Sequence, residues 1–324
     1  MKAVTLVLAV VLVAAGCSAA PAPVDTHDPT VVEPLPAGAT EVTATAAASA
    51  DESCQPTRSY RPDGPPPAPG QFPAGSMMAA IHQRGRLIVG VDQNTYRFAY
   101  RDSKTGQIEG FALDIAHQLA KAILGDENKI QLVVLTSAQR IPAVQHGDVD
   151  LVVHSMTANC DRWRKVDFST IFYLAHQRVL VRDDAKYTGT DWLAGKKVCG
   201  TEQSTSLARI VNLDVDPKPI GMQVAGWTDC LVMLQQHQVD AISTDDTILA
   251  GLAAQDPSIM VAPGSLADEP YGIAIPKNHK EFVQFVNSVL EQIKADGRWT
   301  AYYDKWLQPL LQEPAAPPVA EFRD

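Results

Sequence analysis

The sequence predicts an α/β protein of two lobes facing a cleft, and two observations carry that prediction. A short apolar strand running into polar residues occurs twice, at residues 87–91 before Asp92 and at 197–200 before Thr201. Each copy is followed by a helix, a turn and a further strand, at 145–155 in the first unit and at 236–245 in the second. Strands alternating with helices call for largely parallel pairing. Polar residues at strand ends line the crevice where open α/β sheets hold small molecules.

The elements follow in order. After the strand at 87–91, Phe111, Ile115, Leu119 and Ile123 repeat at helical spacing and stop near Gly125. A strand at 131–135, a helix at 140–146 and a strand at 149–154 complete the first unit, and 172–182 is a β-prone apolar run. The second unit, 183–268, reads as strand 197–200, helices at 204–211 and 228–237, strand 239–243 and helix 246–253. A strand at 270–276 and helices at 279–295 and 298–307 close the chain. The chain leaves the first lobe near 172–177 and returns near 268–272, which makes a two-stranded hinge. Lobe 1 is then 76–172 plus 270–309, lobe 2 is 177–268, and 310–324 is a tail.

The N-terminus stands outside the fold. Lys2 precedes the apolar run Val4 to Ala15, and residues 1–16 read as a signal peptide. Small residues directly before Cys17 resemble a lipoprotein processing site, so Cys17 is expected to carry lipid at the outer face of the cell membrane. Residues 17–75, rich in Ala, Pro, Thr and Asp, are expected to form an extended tether. The net charge of −10 over 324 residues argues against a nucleic-acid partner. Cys54, Cys160, Cys199 and Cys230 are an even number in an exported chain and suggest disulfides. Of three possible pairings, Cys199–Cys230 and Cys54–Cys160 is preferred, the second stapling the tether to the first lobe. No CxxC or CxxH pair occurs, so no metal is expected, nor any cofactor.

Five segments carry a resemblance: Gly110-Phe-Ala-Leu-Asp-Ile115, Gln139-Arg-Ile-Pro-Ala143, Thr157-Ala-Asn-Cys-Asp-Arg-Trp-Arg-Lys-Val-Asp-Phe-Ser169, Tyr271-Gly-Ile-Ala274 and Gly297-Arg-Trp-Thr-Ala-Tyr-Tyr-Asp-Lys-Trp306. In this order they resemble the extracellular solute-binding proteins, family 3, of polar amino-acid ABC importers. The leader and four cysteines are most similar to glutamine-binding-protein-like lipoproteins of actinobacteria. The resemblance covers about residues 80–309 and implies a type II periplasmic-binding-protein-like fold, a monomer, and closure on a free amino acid passed to a permease.

An α-amino acid carries a carboxylate and an ammonium on one carbon, and burying both requires a fork of donors and an acid. Arg162 suits the carboxylate, because a guanidinium binds two oxygens at once. Positions resembling Thr157, Arg162 and Ser155 contact the ligand from the first lobe, and Thr201 and Ser204 from the second. Thr205 is a further candidate, and Ser204 reads equally as a helix N-cap. Asp245 or Asp246 takes the ammonium, the resemblance favouring Asp245, while the other caps the helix. Asp92 matches an acid of glutamine binders. Ser137 and Arg140 match a Ser and an Arg of glutamate/aspartate binders, and Arg140 is expected to pair with Asp92. Thr95 and Ser137 replace the Phe lids of glutamine binders, with Tyr96 and Phe98 nearby. The expected ligand is thus Asp, Glu, Asn or Gln.

Two alternatives accompany this reading. One is an amino-acid sensor signalling through a membrane partner. The other is a cyclohexadienyl-dehydratase-like enzyme, for which Asp92 is the one candidate proton donor. The sequence has no G-x-S-x-G motif, and His154 reads as a packed strand-end histidine near the cleft.

Overall fold

The computed structural model describes residues 34–43 and 54–323. The expected signal peptide and Cys17 lie outside the described residues.

Two mixed sheets form the two lobes. The smaller runs in the order Ile130–Val134, Leu87–Val91, Leu151–Val152, Ala274–Ile275, Asp167–Phe168. Its first three strands are parallel and its last two pairings antiparallel. The larger runs Thr40–Val42, Ile220–Val224, Lys197–Thr201, Ala241–Asp245, Tyr173–Arg182, Ile259–Val261. Parallel pairing thus joins the first three strands of the smaller sheet and the central strands Ile220–Val224, Lys197–Thr201 and Ala241–Asp245 of the larger, where helical crossovers connect the strands. This is the type II two-lobed fold.

The strand Tyr173–Arg182 is the hinge. Its first half pairs antiparallel with Ala267–Tyr271, Tyr173 opposite Tyr271 and Gln177 opposite Ala267. Its second half pairs with Ala241–Asp245 and Ile259–Val261 inside the larger sheet. Both crossings are therefore hydrogen-bonded to each other, so a paired ribbon rather than two separate strands joins the lobes. Aromatic rings pack around its root: Phe98, Phe172, Tyr173 and Tyr271 lie 5.6–6.5 Å apart between centroids. Each such buried ring stabilises by roughly 1.5–3 kcal/mol.

The helix Phe111–Leu124 buries Phe111, Leu113, Ile115, Leu119 and Ile123 against the first sheet and ends at Gly125, φ 72°. A left-handed C-terminal glycine is the usual stop. At its start Gly110 has φ 135°, and a Cβ there would lie 2.5 Å from the Phe98 carbonyl oxygen. Only glycine fits so tight a turn.

The expected tether and tail differ from the structure. Thr40–Val42 adds an antiparallel strand to Ile220–Val224 at the edge of the larger sheet. Arg58–Tyr60 pairs in parallel with Glu321–Arg323, so a segment ahead of the first lobe meets one behind it. Buried Ser59 donates to the Phe168 carbonyl at 2.6 Å, and Asn287 Nδ2 donates to Ser59 Oγ at 2.9 Å and the Tyr60 carbonyl at 2.7 Å. These segments gain order from partners' backbone groups, which a Pro- and Thr-rich composition does not announce. The disulfides are Cys54–Cys160 and Cys199–Cys230, with Cα separations of 6.0 and 5.5 Å.

Candidate functional site

The strand ends and helix starts of both lobes converge on one polar cleft. Arg140 opens the helix Arg140–His146 and is only 3% exposed. It donates from Nε to the Ser137 carbonyl at 3.0 Å and from Nη1 to the Ser155 carbonyl at 2.6 Å. Arg162 sits in the one-turn helix Cys160–Trp163, whose N-cap Asn159 accepts from the Arg162 N–H at 2.9 Å. Its Nη1 donates to the Thr157 carbonyl at 2.8 Å and its Nη2 crosses the cleft to the Gln203 carbonyl at 3.1 Å. Among the described residues neither guanidinium has a carboxylate within ion-pair distance. Burial, with the charge of Arg162 next, pulls Arg140 down to about 9. Burial also lowers Arg162, against the opposing pull of Glu269 and Asp245.

Asp245 faces them from the end of Ala241–Asp245 and is 4% exposed. The Tyr271 hydroxyl donates to its Oδ2, and Ser206 Oγ lies 3.4 Å from Oδ1. Burial, reinforced by Glu269, pushes Asp245 up to about 7, and the Tyr271 hydrogen bond opposes this. Its neighbour Asp246 instead accepts the Thr247 N–H at 2.8 Å and tends the helix start. The N-cap position itself belongs to Asp245, whose side chain makes no capping bond, and Asp246 is the first residue of the helix.

Ser204 caps the helix Thr205–Val211, accepting the Leu207 N–H at 3.2 Å, and also lines the cleft. Thr201 Oγ1 donates across the cleft to Ser137 Oγ at 3.1 Å. A cavity of about 10 Å³, room for no more than one water, is walled by Arg140, Ser155, Thr157, Arg162, Ser204 and Asp245. It shares Ser137 and Trp227 with a neighbouring cavity of about 290 Å³ that reaches Asp92, Asn94, Gln139 and His154.

Asp92 is a correction to the expected arrangement. Its Oδ1 accepts the N–H groups of Gln93 and Asn94 at 2.7 and 3.1 Å, and its Oδ2 accepts the Thr95 hydroxyl. The carboxylate is spent on its own turn, so it forms no ion pair with Arg140, which caps two carbonyls instead. His154 is packed, as read, and burial pulls it down to about 4. A neutral ring whose Nε2 faces the Leu135 carbonyl at 3.2 Å donates there, leaving Nδ1 to accept from Ser155 Oγ at 3.2 Å.

Three residues hold places in the cleft that the sequence did not assign to it. Glu269, fully buried in the hinge strand, accepts from Thr157 Oγ1 of one lobe, from Thr205 Oγ1 of the other at 2.9 Å, and from Arg209 Nη1 at 2.7 Å. Tyr271 lies on the same face two residues on, and Trp227 roofs both cavities. The signal was the period-two pattern Ala267, Glu269, Tyr271 across the return crossing expected at 268–272, although the strand expected there, 270–276, begins one residue after Glu269. Among the described residues no three His, Cys, Asp or Glu side chains are grouped to hold a metal, and no helix is long and apolar enough to cross a membrane.

The fold and cleft have known counterparts. The glutamine-binding protein GlnH of a Bacillus subtilis ABC transporter is 36% identical over 232 residues, 71% of this chain and 84% of that protein. The glutamate/aspartate import solute-binding protein of Salmonella typhimurium is 27% identical over 245 residues, 72% of this chain and 80% of that protein. A solved solute receptor for L-cysteine from Neisseria gonorrhoeae superposes with a TM-score of 0.68 at 27% identity, over 72% of this chain and 94% of that one. Residues 87–309 match the model of one family of binding proteins rather than enzymes, and the chain belongs to it: the bacterial extracellular solute-binding proteins, family 3.

Proposed function

We propose that this chain captures a free acidic amino acid, aspartate or glutamate ahead of asparagine or glutamine, by closing its lobes around it. On this reading a lipid on Cys17 anchors it at the outer face of the cell membrane, and the ligand passes to an ABC importer. The similarity to glutamine and glutamate/aspartate binders supports the class of ligand.

The observation that carries the preference is a charge count. Among the described residues two buried guanidiniums, Arg140 and Arg162, have no carboxylate within ion-pair distance. Of the three buried acids near them, Asp92 is held by its own turn and Glu269 by Thr157, Thr205 and Arg209, which leaves Asp245. An unpaired buried charge is costly, and a partner that supplies the opposite charge recovers that cost. A ligand with two carboxylates and one ammonium matches three such groups; an amide side chain leaves one cation unmet. Arg162, with Thr157, Ser155 and Ser204, takes the α-carboxylate; Asp245 takes the ammonium; Arg140, with Ser137 and Thr201, takes the side-chain carboxylate. Asp92 orders the turn beside the side chain. Contacts from both lobes coexist only in the closed form, so ligand favours that form by its differential affinity.

Calorimetry with L-aspartate, L-glutamate, L-asparagine and L-glutamine tests this. The acids are expected to bind more tightly than their amides by about tenfold or more, the scale of one charged hydrogen bond. Arg162→Ala is expected to weaken all four by on the order of 1.5–3 kcal/mol, whereas Arg140→Ala chiefly erases the preference for the acids. Tighter binding of the amides, or full affinity in Arg162→Ala, refutes the assignment.

A further inference from the structure

Resting on the reading of Arg162 as the carboxylate fork, we propose that the paired segments 54–60 and 321–323 are a positioning brace for that residue, with Cys54, Pro56 and Arg323 as its working parts. Arg162 lies in a helix of four residues, Cys160–Trp163. One isolated helical turn is unstable, because its nucleation fixes several backbone torsions for a single hydrogen bond. A long arginine side chain also loses substantial rotamer freedom when it is fixed. The turn that aims Arg162 therefore needs support from outside itself.

That support comes from residues far away in sequence. Cys160, the first residue of the turn, is bonded to Cys54, 106 positions earlier. Trp163, the last, donates its indole N–H to the Pro56 carbonyl at 2.8 Å. The guanidinium of Arg323 stacks over the same indole at 3.9 Å from its centroid, a cation–π contact. Arg323 also donates from Nε to the Arg58 carbonyl at 2.9 Å, so the C-terminal strand grips both the leader and the indole. The leader strand is in turn held to the long C-terminal helix by Asn287. Arg162 is thus flanked on one side by a covalent bond and on the other by a hydrogen bond and a stacked cation. All three partners come from segments outside the span that matches the family model, residues 87–309. Cys54, Pro56 and Arg323 touch no group that would contact ligand; they act through the turn.

The brace predicts a loss specific to the α-carboxylate. The protein, its Cys54→Ser/Cys160→Ser double variant and its Arg323→Ala variant are compared by calorimetry with L-aspartate and with the α-amide of L-aspartate, which lacks the group Arg162 would hold. Hydrogen exchange over residues 157–166 is followed in parallel. The double variant is expected to lose about tenfold in aspartate affinity and Arg323→Ala about threefold, since a loosened binding group forfeits pre-organisation. Affinity for the α-amide is expected to stay nearly constant, and exchange at 157–166 to quicken. Equal loss with both probes, unchanged aspartate affinity, or unchanged exchange at 157–166 overturns the brace. Should the double variant fail to fold, Arg323→Ala, a change at a half-buried residue of the short C-terminal strand, decides alone. Should the unaltered protein bind neither probe, the amino-acid reading fails by itself, and the exchange comparison still decides whether the paired segments hold the turn.

Discussion

Asp245 and His154 are two buried titratable side chains of the cleft moved in opposite senses by the same cause. Burial raises Asp245 to about 7, in the company of Glu269, Asp246, Arg140 and the Tyr271 hydroxyl. Burial lowers His154 to about 4, beside Asp92 and Arg140. An unfolded Asp releases its proton near 3.9, so between there and about 7 the folded state holds the extra proton. Asp245 therefore contributes stability that is complete at low pH and lost as pH rises through about 7. An unfolded His binds its proton near 6.5, so the buried neutral ring contributes stability that is lost as pH falls from there to about 4. The two slopes oppose each other across nearly one window. Melting temperature of the ligand-free protein is expected to change little from these groups, and Asp245→Asn to expose the His154 slope, stability falling on acidification. Aspartate affinity is expected to behave differently. An ammonium requires the ionised Asp245, so affinity falls as pH drops below about 7, with proton release on binding. Titrations at two pH values in buffers of different ionisation enthalpy measure both; affinity that improves on acidification contradicts the assignment.

At the scale of elements, the backbone turn before Phe111–Leu124 is the most constrained point in the first lobe. Gly110→Ala would drive a Cβ to within 2.5 Å of a fixed carbonyl at φ 135°. The expected cost is on the order of 1–3 kcal/mol, read as a lowered thermal midpoint, with ligand affinity affected only secondarily. That helix was plain in the sequence, because Phe111, Ile115, Leu119 and Ile123 repeat at helical spacing and Gly125 stops them. Strands 87–91 and 197–200 were plain for the same kind of reason, being apolar runs between turn residues. Thr40–Val42 and Glu321–Arg323 were not legible. Both are three-residue strands with no fully buried residue, and their order comes from a partner strand far away in sequence. Arg162 and Asp245 were singled out by the family resemblance, with residue type in support, and the structure brings both to the cleft wall. The fate of Asp92 was hidden, because whether a carboxylate spends its lone pairs on its own turn or on a neighbour depends on backbone torsions. Glu269 was hidden too, since one acid in a half-buried strand looks like any surface acid until its face is known.

For the molecule as a whole, Glu269 is where three moving parts meet. Its oxygens accept from a first-lobe hydroxyl, a second-lobe hydroxyl and a second-lobe guanidinium, while its backbone belongs to the hinge. In this structure all three are satisfied at once. Glu269→Gln keeps the shape and removes the charge, so the closed form is expected to lose on the order of 1–3 kcal/mol. Stopped-flow binding would show this mainly as faster ligand dissociation, with small-angle scattering reporting less compaction on adding aspartate. An unchanged dissociation rate would demote Glu269 to a structural bystander.

The strand Thr40–Val42 covers one flank of the larger sheet, its Val42 methyl packed over Gly221. Shortening the chain past residue 43 would bare the peptide groups of Ile220–Val224, a ready template for another molecule's strand. The leader thereby doubles as a guard against self-adhesion, and light scattering of a shortened protein should rise with concentration where that of the full chain stays flat.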